Sequence, residues 1–323
     1  MSVLRALRNV AVLCSFLFMG VCAQGGPLAP SSKESAPNPI ADTYPSGITG
    51  TFNSTIFVVP ISYKLARSLI PKQWSINKKA YRELLPGFPK DSYPLVVRSG
   101  VDHDVGLKAI SFKVDDFQTV HTFFPFVDLF NDGYSSYTYN KYLLITATNL
   151  LGIGALPEYG TVPVPATFSP NLEAYGYSED ASCPGERYFK AYSAFELPPK
   201  PTVAIKFKDT ASIGPWHTNF YVNVTNQPIM TNGDPAVFWI HSNGPADTEL
   251  SYSNTTLSNG ANAPRGVKGS VALGAPLLPE DTTFNDVFGI RVDTAFLEIT
   301  SVPCADLQGY HGTGPGDRGT ASG

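Results

Sequence analysis

The sequence predicts a mostly β chain of the α+β class: a single antiparallel β-barrel-like domain, barrel or sandwich, with a few short helices. Two features carry that expectation. Its 28 glycines and 28 prolines are spread between short apolar runs of strand length, which favours many turns over long helices. Apolar residues make up 43% of the chain and charged residues only 15%, against about 25% in an ordinary soluble domain. Such a chain can bury a substantial core.

The elements follow in order. Residues 55–60 read as a strand, and Ser62 can cap a short helix carrying Leu65 and Leu69 on one side before Pro71 ends it. A second short helix is predicted over 77–85, stopped by Pro86 and Gly87. Strands are predicted over 95–99 and 108–117, the latter with Ile110, Phe112 and Val114 alternating with polar residues, and Asp102-His103-Asp104 forms a polar bend between them. An aromatic strand over 120–126 and the turn at Asn131-Asp132-Gly133 lead to the stretch 142–165. There an apolar strand runs into a glycine-rich bend and a proline-stiffened segment, which reads as the wall and rim of a pocket. Further strands are predicted over 191–197, 202–207, 220–224, 237–240, 267–273 and 292–299.

The ends speak to compartment. Arg5 and Arg8 precede an apolar stretch too short to span a membrane, then Val21-Cys22-Ala23, so residues 1–23 read as a secretory signal peptide. Residues 24–45 read as a flexible Pro/Ser-rich spacer, 46–305 as the folded domain and 306–323 as a disordered Gly-rich tail. The expected product is secreted and extracellular, with no membrane association after signal cleavage. Cleavage leaves Cys183 and Cys304, which in an oxidising compartment most simply pair, restricting the unfolded chain by ~4–5 kcal/mol in the loop-entropy account. Asn53, Asn223 and Asn254 head glycosylation sequons. The net charge of −4 and the lack of a basic block give no footprint for nucleic acid.

Candidate chemistry is sparse. Arg98 interrupts an apolar strand, where it can clamp a ligand carboxylate or enolate, or pair with Asp102 or Asp104. Tyr142, Gly154 and Gly160 belong to the expected pocket wall and rim, and His103 to the densest polar cluster; these four are the candidate ligand-binding residues. No metal-ligand spacing, phosphate loop, dinucleotide fingerprint or nucleophile elbow is found, so no metal and no cofactor are expected.

With Ser68-Leu69-Ile70-Pro71-Lys72 ending the early helix and the Gly-rich stretch 142–165 following later strands, the chain resembles the acetoacetate-decarboxylase-like barrel family in its secreted fungal branch, over roughly residues 50–300. The resemblance implies a barrel around a pocket and, in decarboxylases, a lysine after a Gly-x-Pro segment whose neutral amine forms a Schiff base. Here that piece is Tyr159-Gly160-Thr161-Val162-Pro163-Val164-Pro165, and no lysine occurs between Lys141 and Lys190. The expectation is a lyase-, isomerase- or cyclase-type protein handling a small apolar carbonyl-bearing molecule of secondary metabolism, by proton transfer or enolate stabilisation without a covalent lysine. Glu158 and Tyr159, at the position of the reactive centre, join Arg98 as candidate catalytic residues. A non-catalytic extracellular binding or interaction protein is the alternative.

Overall fold

The computed structural model describes residues 38, 40–180, 182–196, 200–240 and 263–309. Among these, the strands are β1 (Ile48–Ser62), β2 (Ser75–Ile76), β3 (Ser92–Leu107), β4 (Phe112–Lys113), β5 (Phe117–Asp128), β6 (Tyr137–Tyr139), β7 (Tyr142–Thr146), β8 (Val162–Ser169), β9 (Gly176–Tyr177), β10 (Arg187–Ser193), β11 (Val203–Asp209), β12 (Ile229–Met230), β13 (Ala236–Ile240), β14 (Arg265–Leu273) and β15 (Thr282–Val302). The α-helices are α1 (Tyr63–Leu69), α2 (Lys78–Leu84), α3 (Leu150–Ala155) and α4 (Thr218–Asn226).

Pairing closes on itself twice. One ring runs β5-β7-β8-β10-β11-β14-β15-β1-β3 and returns to β5, a nine-stranded barrel. A second runs β13-β12-β6-β5-β3-β1-β15 and returns to β13. The strands β5, β3, β1 and β15 belong to both and form a shared wall. Burial follows from that position. β1 is buried without a break from Thr49 to Val59 and β3 from Tyr93 to His103, whereas β10 and β11 alternate buried and accessible residues. A wall covered on both faces loses the alternation that a half-solvated strand shows. All pairings are antiparallel except β7 with β8 and β6 with β12.

Three of the four described helices, α1 to α3, start where a side chain caps them. Ser62 accepts from the Leu65 amide, Asn77 from that of Ala80 and Asn149 from that of Gly152. Each contact satisfies an amide that the first turn leaves without a partner.

Several expectations are corrected. Asp102 and His103 lie within β3 and not in a bend, and both are buried. The strand expected over 108–117 is a 3₁₀ turn (Lys108–Ile110), a left-handed Ser111 and the short β4 folding back on Gly106 and Leu107. Ile110 and Phe112 consequently stay exposed. The strand expected over 220–224 is α4, buried on every side, where Thr225 and Asn226 bond to the carbonyls of Tyr221 and Val222 one turn back.

The modification sites change with the fold. Asn53 is 3% exposed in the shared wall and Asn223 is 6% exposed in α4, its Oδ1 accepting from Gln227, so neither offers an acceptor amide to a glycan. Asn254 lies outside the described residues, as do the expected signal peptide and residues 310–323. Cys183 and Cys304 are free thiols and not a disulfide. Cys183 sits in the turn between Asp180 and Glu186, while Cys304 is buried after β15, its amide donating to Asp234 and its carbonyl accepting from Tyr137. Burial, with the Asp234 carboxylate, pushes the Cys304 thiol up to about 12. Packing extends past the expected boundaries: Ile40 is buried against Ala295, and Leu307 is fully buried.

Candidate functional site

Strand register selects the side chains of the main cavity. Directly paired residues share a face of a sheet, and so do residues two apart along a strand. Arg98 pairs with His121, Gly100 with Thr119 and Asp102 with Phe117 between β3 and β5. His121 and Thr119 in turn pair with Leu143 and Ile145 of β7. Across β1, Asp102 lies opposite Phe52, and Gly50 and Ile48 lie opposite Phe296 and Glu298 of β15. One parity thus gathers Arg98, Asp102, Thr119, His121, Phe296 and Glu298 from three strands of the shared wall around a cavity of about 140 Å³. Asn140, Thr161 and Ile229 close one side, and Gly152, Ala155 and Leu156 from α3 and the turn after it close another. The register shift between Thr49 and Thr51 brings Val105, three residues past Asp102, to the same cavity.

The polar floor is a connected network. Arg98 is 3% and Asp102 5% exposed, and the guanidinium Nη2 lies 3.4 Å from Asp102 Oδ1. The Thr119 hydroxyl donates to Asp102 Oδ2 at 2.6 Å. Arg98 Nη2 donates to His121 Nε2 at 3.0 Å, and its guanidinium lies over the Phe52 ring, 4.7 Å from the centroid. The Asn140 amide is oriented by its surroundings: its nitrogen donates to the carbonyls of Tyr142 (3.1 Å) and Thr122 (3.2 Å), leaving its oxygen to accept from His121 Nδ1 at 3.2 Å. His121 is therefore the neutral Nδ1–H tautomer, with Nε2 as acceptor for Arg98.

Electrostatics agree with that tautomer. Burial, aided by the Arg98 charge, holds the His121 imidazole well below its ordinary range. Burial raises the Asp102 carboxyl above its ordinary range, against the opposing pull of Arg98 and Thr119. His103 behaves in the opposite sense to His121. Its burial disfavours charge, but the carboxylates of Asp293 (3.8 Å) and Asp104 (3.1 Å) outweigh that and raise its pKa. The two histidines bend the pH dependence of stability in opposite directions. The His121 contribution is full above about pH 6.5 and is lost as pH falls towards its depressed folded-state value. The His103 contribution is full below about pH 6.5 and is lost as pH rises through its raised folded-state value. Imidazole NMR at about pH 6 is expected to find His121 neutral and His103 charged; a protonated His121 at that pH would contradict the network described.

The expected site residues separate. Arg98 lines the cavity. Glu158 does not: in the 3₁₀ turn Leu156–Tyr159 its neighbour Leu156 faces the cavity while Glu158 is exposed, because residues two apart in such a turn point to different sides. Tyr159 ends that turn, and its side chain lies outside the described residues. Gly154 is exposed on α3, and a methyl group there would meet nothing within 4 Å. Gly160 has φ +75° and caps the turn against Asn232, a structural use. Tyr142 is half-buried beside the cavity wall with Lys141 5.0 Å over its ring. His103, adjacent to Asp102 in a strand, must face the other side of the wall, where it meets Asp293. Asp102, Thr119, His121 and Asn140 were missed as site residues. The readable signal for three of them was the period-2 placement of Asp102 behind Arg98 and of Thr119 behind His121.

No protein-family model matches the chain, and no curated protein does. Among solved structures, the enduracididine biosynthesis enzyme MppR complexed with the condensation product of pyruvate and imidazole 4-carboxaldehyde is similar at 8% identity and a TM-score of 0.47, covering 78% of this chain and 86% of that one. The same enzyme complexed with pyruvate has 10% identity and a TM-score of 0.40 over 78% and 86% of the two chains. An acetoacetate decarboxylase-like enzyme from Sphingomonas wittichii RW1 has 9% identity and a TM-score of 0.40 over 80% and 92%. These likenesses are too distant to carry chemistry from one chain to another.

Proposed function

We propose that this chain is a secreted barrel protein of the acetoacetate-decarboxylase-like type, of a fungal branch without the Schiff-base lysine. In this reading its cavity holds a small carbonyl-bearing molecule of secondary metabolism. The observation that carries the reading is a buried arginine, anchored by Asp102 and His121, at the floor of an otherwise mostly apolar cavity. A desolvated guanidinium is a strong charge-assisted donor to a carbonyl oxygen, stronger still to the enolate formed when an α-proton leaves. No lysine lines the cavity among the described residues, which supports a reading in which any chemistry there proceeds without a covalent adduct to an amine. The volume of about 140 Å³ is close to that of an engineered apolar cavity of ~150 Å³ that takes benzene, which sets the ligand at about six to nine heavy atoms.

The second reading, a binding protein without chemistry, is favoured by one observation: the exposed Glu158 leaves the cavity without the base expected for proton abstraction. Native mass spectrometry of secreted protein, followed by turnover assays on any co-purified compound, separates the two readings. Ala155→Leu, which adds three carbons to the wall supplied by α3, is expected to abolish ligand binding while changing stability by less than ~1 kcal/mol, because Ala155 is only half-buried. Unaltered ligand binding in that variant would place the ligand elsewhere.

A further inference from the structure

The charges around the cavity select among carbonyl compounds. Among the described lining residues Arg98 is the one permanent cation, and Asp102 already balances it at 3.4 Å. His121 contributes no charge, since burial and Arg98 hold it neutral. Glu298, half-buried on β15, adds a carboxylate to the lining. Among the described residues the lining therefore carries one cationic group and two acidic ones. A carboxylate ligand would add a further negative charge to a space whose other described walls are neutral and mostly apolar, with Phe117, Leu143, Ile145, Leu156, Ile229 and Phe296 around it. Burying a charge without a counter-charge is strongly unfavourable, and the counter-charge here is taken. A neutral carbonyl meets no such obstacle and still accepts a charge-assisted hydrogen bond from the guanidinium.

We infer that the cavity takes an uncharged carbonyl compound, a ketone, ester or lactone of about six to nine heavy atoms, and rejects the corresponding keto acid. The inference rests on the pocket reading above and names its ligand class. It also gives Asp102 a specificity role. By holding the Arg98 charge it prevents the arginine from acting as a carboxylate clamp, while Thr119 fixes the carboxylate through its hydroxyl.

The test compares matched probes on the full-length protein near pH 7.5. Dissociation constants for 2-heptanone and methyl levulinate are measured against levulinate by ligand-observed NMR titration. The expected result is at least tenfold tighter binding of the neutral pair, lost in Ala155→Leu. Asp102→Asn, which keeps a partner for Thr119 but releases the arginine, is expected to raise levulinate affinity at least tenfold. Glu298→Gln, a near-isosteric change on the half-buried part of the lining, is expected to raise it about threefold, so the proposal remains exposed to test even where Asp102→Asn does not fold. Levulinate binding as tightly as its ester in the unaltered protein would overturn the inference and leave the pocket reading standing. Absence of binding by all three probes, or binding indifferent to Ala155→Leu, would overturn both.

Discussion

Arg98→Met is expected to lose about 3–5 kcal/mol of folding stability, the cost of leaving one member of a buried ion pair without its partner. Asp102 is 5% exposed, and its remaining contact, the Thr119 hydroxyl, cannot replace a counter-charge. Part of the loss is then relieved by protonation of the carboxyl, so the deficit of the variant relative to the unaltered protein should shrink as pH falls from 7 to 5. The direction follows from linkage: a folded-state carboxyl pKa above its unfolded value favours the folded state at low pH, and that advantage is lost as pH rises through the folded value. The double variant Arg98→Met/Asp102→Asn is expected to recover most of the deficit, since both charges are gone and Asn still faces Thr119. Urea unfolding of the two singles and the double, at both pH values, gives the coupling energy directly. Additive losses would mean that the two charges do not share a buried environment in solution.

The sequence made the fold class and the starts of α1 and α2 legible because those depend on local chemistry, whereas α3 was expected as a glycine-rich bend and 220–224 as a strand. Ser62 caps the helix it was expected to cap, the second helix starts at its expected place, and the glycine-rich run 142–165 does border the cavity. It failed where a long-range fact overrides the local one. Asp102-His103-Asp104 looks like a turn because three polar residues in a row do not suit a half-solvated strand. In a wall shared by two rings both faces are buried, and each face can hold polar side chains that find partners across it. The same fact hid the unfitness of Asn53 as a glycan acceptor. Arg98 was found because it interrupts an apolar run; its partner His121, and Asn140 on the far side of that imidazole, were not, since nothing local records that β5 lies beside β3 or that residue 140 folds beneath residue 121. Glu158 shows the converse error, because sequence adjacency to a pocket-forming residue says little about which way a side chain points in a tight turn.

Gly100→Ala is expected to be among the most damaging single-methyl changes in the chain. Gly100 lies on β3 between Arg98 and Asp102, paired with Ser54 of β1 on one side and Thr119 of β5 on the other. A β-carbon there would sit 2.1 Å from the Asn53 carbonyl oxygen and 2.7 Å from the Ser54 α-carbon. These are backbone atoms of a strand bonded on both edges, so no side-chain rotation relieves the overlap. The glycine is needed for the approach of β1 and not for an unusual backbone angle. Overpacking a core costs about 1–3 kcal/mol when side chains can yield; here the strand itself must move, so the expected loss exceeds ~3 kcal/mol. Displacing β1 from β3 would also disturb Arg98 and Asp102, two residues to either side, so any residual folded protein should lose ligand binding. Gly154→Ala is the matched control: the added methyl meets nothing, and an alanine in place of a helical glycine is expected to stabilise by ~0.5–1 kcal/mol. Thermal unfolding of the two variants side by side checks both signs. Equal stability in the pair would mean that β1 and β3 do not approach as closely as their register requires.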